Sequence, residues 1–306
     1  MHSPDNSKPS AARFEIHSFE SVTLTDRQFL TGVHQSTPVR IGAELRLPVG
    51  AARVPAVVLL HGSAGIGANV DRWAGEVNEI GAAAFLVDSF TGRGITQTVT
   101  DQSQLGSLAM ILDAYRALDL LTKHPGIDAS RILVMGFSKG GFATLYASLK
   151  RFQRMYGTPG LEFSAYLPFY PACSIAYIDD EKVTARPIRI FHGAADNYVP
   201  VEPCRKYVER LRGSGADVQL TEFRGAHHAF DNPLYEPHLS LPDALITANC
   251  VREERPAGEI INISTGEPFR WNDPCVKRGG TVGYDAVATA EATKAVKTFL
   301  LEAFRH

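Results

Sequence analysis

The sequence predicts an α/β fold, with a mostly parallel central sheet covered by helices on both faces. Two observations carry this expectation. Short, nearly continuous apolar runs recur along the chain, as suits strands buried on both faces, and amphipathic helical stripes lie between most of them.

The first fifty residues hold alternating stretches, "SVTLTD" and "VRIGAELRLPVG", that read as hairpin strands. The pattern then changes to "VPAVVLLHG" (54–62), "AAAFLVDSF" (82–90), "RILVMGF" (131–137), "EFSAYLPFY" (162–170), "PIRIFHG" (187–193) and "DVQLTEF" (217–223). Leu108, Ile111, Leu112, Tyr115 and Leu118 form one helical stripe, and Cys204, Tyr207, Val208 and Leu211 form another that ends near Gly213 and Gly215. Ala292, Ala295, Val296, Phe299, Leu300 and Ala303 mark a last amphipathic helix. In such a fold ligand chemistry belongs at the carboxyl ends of the strands.

Residues 1–20 read as a loose N-terminal tail, and 21–306 as one domain. From 231 to 283 no helix or strand period is evident over a span too long for a plain connection, so it reads as a lid or a surface insertion. Composition narrows the partners. Lys+Arg 31 against Asp+Glu 33 leaves a net charge of −2 without a basic stripe, which disfavours nucleic acid and anionic membranes and leaves a small molecule as the expected ligand. With no basic-then-apolar leader and no apolar run approaching the roughly 20 residues of a membrane span, a cytoplasmic protein is expected. The 4 cysteines form no zinc-like spacing. Cys204 reads as a core residue, and Cys250 and Cys275, able to bridge in an oxidising compartment, are expected as free thiols.

The chemistry centres on "MGFSKGG". Gly136-Phe137-Ser138-Lys139-Gly140 fits G-x-S-x-G behind an apolar strand, where the glycines permit a sharp turn that lifts the serine above the sheet. A serine hydroxyl is a weak nucleophile at neutral pH and needs a base, a group orienting the base, and donors for the oxyanion. "FHGAADNYVP" places Asp196 past one later strand, and "FRGAHHAF" places His227 and His228 past the next, in the chain order Ser, acid, His. Asp196 also suits a turn or an N-cap before the following helix, and one histidine of the pair is expected to be structural. The oxyanion donors would be the N–H groups of Lys139, after the serine, and Ser63 in "LLHGSAG", with His61 bracing that loop.

These stretches resemble the α/β-hydrolase superfamily, and within it the dienelactone hydrolase family. "HGSAG", "DSFTGRG", "IDASRILVMGFSKGG", "FHGAADNYVP" and "GAHHAF" run in order from 61 to 230. The resemblance implies an α/β-hydrolase fold and a serine esterase or lactonase that needs no cofactor or metal. It assigns the base to His228, which directly precedes a small residue and Phe. Arg93 in "DSFTGRG" is similar to a substrate-side arginine of the family, though an exposed turn arginine reads equally well. The chain departs from the namesake enzymes in carrying Ser138 instead of cysteine, in lacking a glutamate in "LLHGSAG", and in having Asp231 and Asn232 where a carboxylate-binding arginine is expected. General ester hydrolysis is therefore expected over the namesake reaction.

The same machinery would serve a thioesterase, peptidase or acyltransferase, and a non-catalytic scaffold of this fold is a rival from another class. A short-chain dehydrogenase is a weaker rival. It would use Gly62, Gly65, Gly67, Asp88, Tyr146 and Lys150, but the glycine spacing is G-x-x-G-x-G.

Overall fold

The computed structural model describes residues 13–32, 38–50 and 53–305. Its strands and helices alternate as β1 (Arg13–Val22), α1 (Asp26–Thr31), β2 (Pro38–Leu47), β3 (Val54–Leu60), α2 (Ala68–Glu79), β4 (Ala83–Asp88), α3 (Ala109–Thr122), β5 (Ile127–Phe137), α4 (Lys139–Tyr146), α5 (Lys150–Tyr156), β6 (Tyr166–Phe169), β7 (Ile175–Ala176), β8 (Ile188–Gly193), α6 (Glu202–Gly213) and β9 (Val218–Phe223). A helix α7 (Ala286–Ala303) closes the described chain.

Eight strands form one sheet in the order β1-β2-β4-β3-β5-β6-β8-β9. β1 and β2 pair antiparallel, β2 joins β4 antiparallel, and every pair from β4 to β9 is parallel. The mostly parallel sheet expected from the apolar runs is present. Period-2 alternation splits β3 between two cores. Val57 and Leu59 pack with Trp73 and Val77 of α2 and Ala292, Val296 and Leu300 of α7, whereas Ala56, Val58 and Leu60 face α3, α4 and α6. The sheet is thus covered on both sides.

Three expectations need correction. Residues 13–20 are not tail: they begin the edge strand β1, whose Phe19 and Ser21 are buried, while residues 1–12 lie outside the described residues. "SVTLTD" ends that strand and leads into α1, because Thr25 and Gln28 form a reciprocal capping box that starts a helix there. The segment 231–283 also has structure, in six short strands: β10 (Leu239–Ser240), β11 (Leu245–Ile246), β12 (Arg252–Arg255), β13 (Glu259–Asn262), β14 (Lys277–Arg278) and β15 (Thr281–Val282). Strands of two to four residues are too short to print a period. β12 pairs with both β13 and β7, which fastens the insertion to the loop beyond β6.

The cysteines differ from expectation as well. Cys250 and Cys275 are disulfide-bonded, and Cys204 is bonded to Cys173 in addition to being buried in its helix. Their partners are 25 and 31 residues away in sequence, so pairing depended on the fold of an irregular segment and of a β6–α6 connection. Loops of that length correspond to about 3.5 kcal/mol each in lost unfolded-state entropy. Dithiothreitol should therefore lower the melting temperature by several degrees, measured by differential scanning fluorimetry, and the Cys250→Ser/Cys275→Ser variant should account for part of that drop.

Candidate active site

β5 runs into α4 through Ser138, whose backbone sits at φ 53° and ψ −110°. This left-handed region is costly for a residue with a side chain, on the order of 1–3 kcal/mol, and persists where the surroundings over-determine it. Here they do. A β-carbon at Gly136 would collide with the Gly140 carbonyl and the Thr144 hydroxyl, and one at Gly140 would collide with the Leu60 and His61 carbonyls of the neighbouring strand end. The Ser138 N–H donates to the Phe169 carbonyl (3.0 Å), which ties the turn to β6.

The two loops beyond β8 and β9 deliver the other members. His228 Nε2 lies 2.9 Å from Ser138 Oγ, and its Nδ1 lies 2.7 Å from Asp196 Oδ2. The second carboxylate oxygen of Asp196 accepts from the N–H groups of Tyr198 (2.9 Å) and Val199 (2.7 Å), so the acid is oriented by its own loop. Asp196 is thus not an N-cap of α6, which starts at Glu202. The His228 ring is held between Tyr170, which it meets edge-on at 4.7 Å between centroids, and Tyr198, tilted against it at 4.8 Å. His227 takes no part in this line; its ring meets that of His238 at 4.7 Å.

The insertion braces the same loops. Gly283 N–H donates to the His228 carbonyl (3.1 Å), and Asn197 exchanges hydrogen bonds with Thr281, N–H to Oδ1 at 2.8 Å and Nδ2 to Oγ1 at 3.2 Å.

On the other side of Ser138 lies the loop after β3. A β-carbon at Gly62 would stand 3.4 Å from Ser138 Cβ, so this loop abuts the serine. The Gly62 carbonyl accepts from Gly65 N–H (3.1 Å) and meets His61 Nδ1 (2.8 Å). In a planar trans peptide the next N–H, that of Ser63, then points the opposite way. His61 is fully buried and accepts at Nε2 from Ser89 N–H (3.2 Å), so burial, which lowers its pKa, leaves a neutral ring bracing two loops as expected. Lys139 opens α4, where the first N–H groups have no intrahelical acceptor. Ser63, Ser138 and Lys139 line one cavity of about 240 Å³. The insertion contributes Ile246, Thr247, Arg252 and Trp271 to its wall, so it is neither remote nor ornamental.

Arg93 is elsewhere. All five of its N–H donors are used: two on Asp113 (2.7 and 2.9 Å), and one each on the Ser89 carbonyl, the Val22 carbonyl and Thr23 Oγ1. The pair is almost fully buried, at 3% and 0% side-chain exposure, and Arg93 does not line the cavity. The substrate-binding expectation for Arg93 is therefore corrected: the residue is a structural ion pair between the sheet edge and α3.

Sequence reasoning missed Asp231 and Gln102. Asp231, fully buried beside the His228 loop, accepts from Trp73 Nε1 and the Tyr170 hydroxyl, both at 2.7 Å, and holds the ring that packs on His228. Burial raises its pKa against those two hydrogen bonds. Among the described residues, the grouping with metal-ligand chemistry is Glu15, His17 and His124, none of which lines the cavity. Gly126 N–H donates to His124 Nδ1 (3.1 Å), which leaves the Nε2 proton facing Glu15 at 3.1 Å, so hydrogen bonding accounts for that cluster. The dehydrogenase pair dissolves too. Tyr146 is buried in α4 with its hydroxyl on the Ile175 carbonyl (3.2 Å), and Lys150 begins the separate helix α5.

This fold, with serine, aspartate and histidine beyond the carboxyl ends of β5, β8 and β9 of a mostly parallel sheet, is that of an α/β-hydrolase. The sequence matches the dienelactone hydrolase family over residues 41–304, and the chain belongs to that family. It is 34% identical over 104 residues to the acyl-protein thioesterase 1 of Gibberella zeae, a match covering 34% of this chain and 43% of that protein. A probable 2-oxo-3-(5-oxofuran-2-ylidene)propanoate lactonase of Bradyrhizobium sp is 24% identical over 61% of this chain and 78% of its own. Among solved structures, the dienelactone hydrolase-like promiscuous phosphotriesterase P91 from metagenomic libraries superposes with a TM-score of 0.57 at 18% identity, over 94% of this chain and 99% of that one. The last likeness is one of fold.

Two measurements test these assignments. Arg93→Met strands a buried Asp113 carboxylate and should cost about 3–5 kcal/mol of stability in urea titrations, with KM of the folded enzyme unmoved. Burial lowers the Lys139 pKa from 10.5 to about 8, against the pull of Asp26 and Asp101. The folded state thus resists this charge, and stability is gained as pH rises from about 8 towards 10.5. Lys139→Met should raise the melting temperature at pH 7, and the difference from wild type should shrink across that window.

Proposed function

We propose that the protein is a serine hydrolase that cleaves an ester or lactone bond of a small organic substrate through Ser138, His228 and Asp196. The observation that carries this reading is the continuous hydrogen-bonded line from Ser138 Oγ through both nitrogens of His228 to Asp196. Ser138 attacks the carbonyl while His228 Nε2 takes its proton. Asp196 holds the imidazole with Nδ1–H towards itself and stabilises the cation that forms. The oxyanion rests on the N–H groups of Ser63 and Lys139, His228 returns the proton to the leaving alcohol, and water activated by His228 releases the acid.

A non-catalytic scaffold would have no need to hold a strained serine against a histidine. Thioester hydrolysis is the second reading, favoured by the thioesterase name of the Gibberella zeae relative. Among the described residues no helix is long and apolar enough to cross a membrane. Two disulfides fit an oxidising compartment better than the cytoplasm that the sequence suggests.

Ser138→Ala should lower turnover of p-nitrophenyl acetate by at least about 10³-fold and abolish labelling by a fluorophosphonate probe. Retention of most turnover by this variant would end the reading. A matched panel of esters, lactones and thioesters with wild type ranks the acyl classes.

A further inference from the structure

Gln102 lies on a short helical turn, Gln102–Gln104, in the connection between β4 and α3, and lines the cavity. Its amide joins loops that come from different strand ends. Oε1 accepts from Lys139 Nζ (3.1 Å), from the Thr98 hydroxyl (3.3 Å) and from the Ser63 hydroxyl (3.2 Å), while Nε2 stands 3.0 Å from Ser63 Oγ. Tyr198 shares the cavity wall with Gln102, and the Tyr198 ring packs on His228. The lysine decides which end of the amide is oxygen, since an ammonium can only donate. The backbone repeats the connection, because Thr98 N–H donates to the Ser63 carbonyl at 2.7 Å.

Building on the serine-hydrolase reading, we propose that Gln102 is a positioning residue for acyl transfer: it holds the loops of Ser63 and Lys139 at one spacing through a neutral amide. Geometry explains the bridge, and charge explains the amide. Lys139 is 6% exposed and hydrogen-bonds to a neutral acceptor rather than to a carboxylate, and Asp26 and Asp101 pull on it only from beyond ion-pair distance, so its ammonium stays unpaired beside the place where an oxyanion would form. A glutamate at 102 would accept from Lys139 equally well. It would also neutralise that ammonium and set a negative charge next to the developing one.

This gives fold and catalysis opposite expectations for one substitution. Gln102→Glu should match or exceed wild type in melting temperature, because it pairs a buried ammonium, yet kcat on p-nitrophenyl acetate should fall at least tenfold with KM within about twofold. Gln102→Ala should show the same split between kcat and KM. In both variants the second-order rate of fluorophosphonate labelling should fall in parallel, since that reaction also develops charge on oxygen. Turnover within twofold of wild type in the folded Glu variant, or a change confined to KM, would overturn the proposal. Absence of turnover and labelling in wild type would instead defeat the serine-hydrolase reading itself.

Discussion

The close crossing of the β5–α4 turn over the end of β3 sets the arrangement of everything around it. Gly140 lies against the Leu60 and His61 carbonyls, so a side chain there would push the turn away from β3 and strain the pairing of the two most central strands. That contact holds Ser138 in a backbone region a serine would otherwise avoid. It also places the β3 loop, with Ser63, beside the serine that the β9 loop must reach from the opposite side. A side chain at either glycine would therefore disturb the proposed nucleophile and its surroundings together.

The connections around this turn use hydrogen bonds and buried charge in distinct ways. Arg93 and Asp113 satisfy one another and the ends of β1 and β4, in a pair whose value lies in leaving neither charge alone. Among the described residues Lys139 has no such mate at contact distance, and its ammonium is held by an amide at the cavity wall. Arg252, contributed by β12, is likewise 7% exposed and donates to the hydroxyls of Ser174 (3.0 Å) and Thr247 (3.1 Å) while its guanidinium stacks 4.8 Å over Phe269. Burial lowers its pKa, opposed by Tyr177, Asp26 and Tyr146. Arg93 thus meets a carboxylate at contact distance, whereas the cavity cations Lys139 and Arg252 donate to neutral oxygens.

Much of this was legible in the sequence because it is local. The strand before Ser138, its flanking glycines, and the loops holding Asp196 and His228 are each written in a few consecutive residues, and parallel strand order then brings their ends to one edge. The Arg93–Asp113 pair is not local: Asp113 lies 20 residues on, in a helix whose apolar stripe hides one buried acid. An arginine next to a motif loop looks like a ligand for substrate until that acid is found. Gln102 was silent for the same reason, as its partners at 63, 98 and 139 share no pattern along the chain. The disulfides required the path of a segment whose strands are too short for periodicity.

That segment shows how an insertion can acquire a role at a site whose chemistry belongs to the core. β12 is anchored on β7, the Cys250–Cys275 bond joins the two sides of the β12–β13 hairpin, and β15 closes against the His228 loop. Fastened at these points, it can offer Ile246, Arg252 and Trp271 to the cavity as a fixed wall. The core strands determine where an acyl carbon could be attacked. In the proposed reaction the insertion's wall residues would bound what can accompany that carbon into the cavity, and the Cys250–Cys275 bond would make that wall depend on a covalent link outside the sheet.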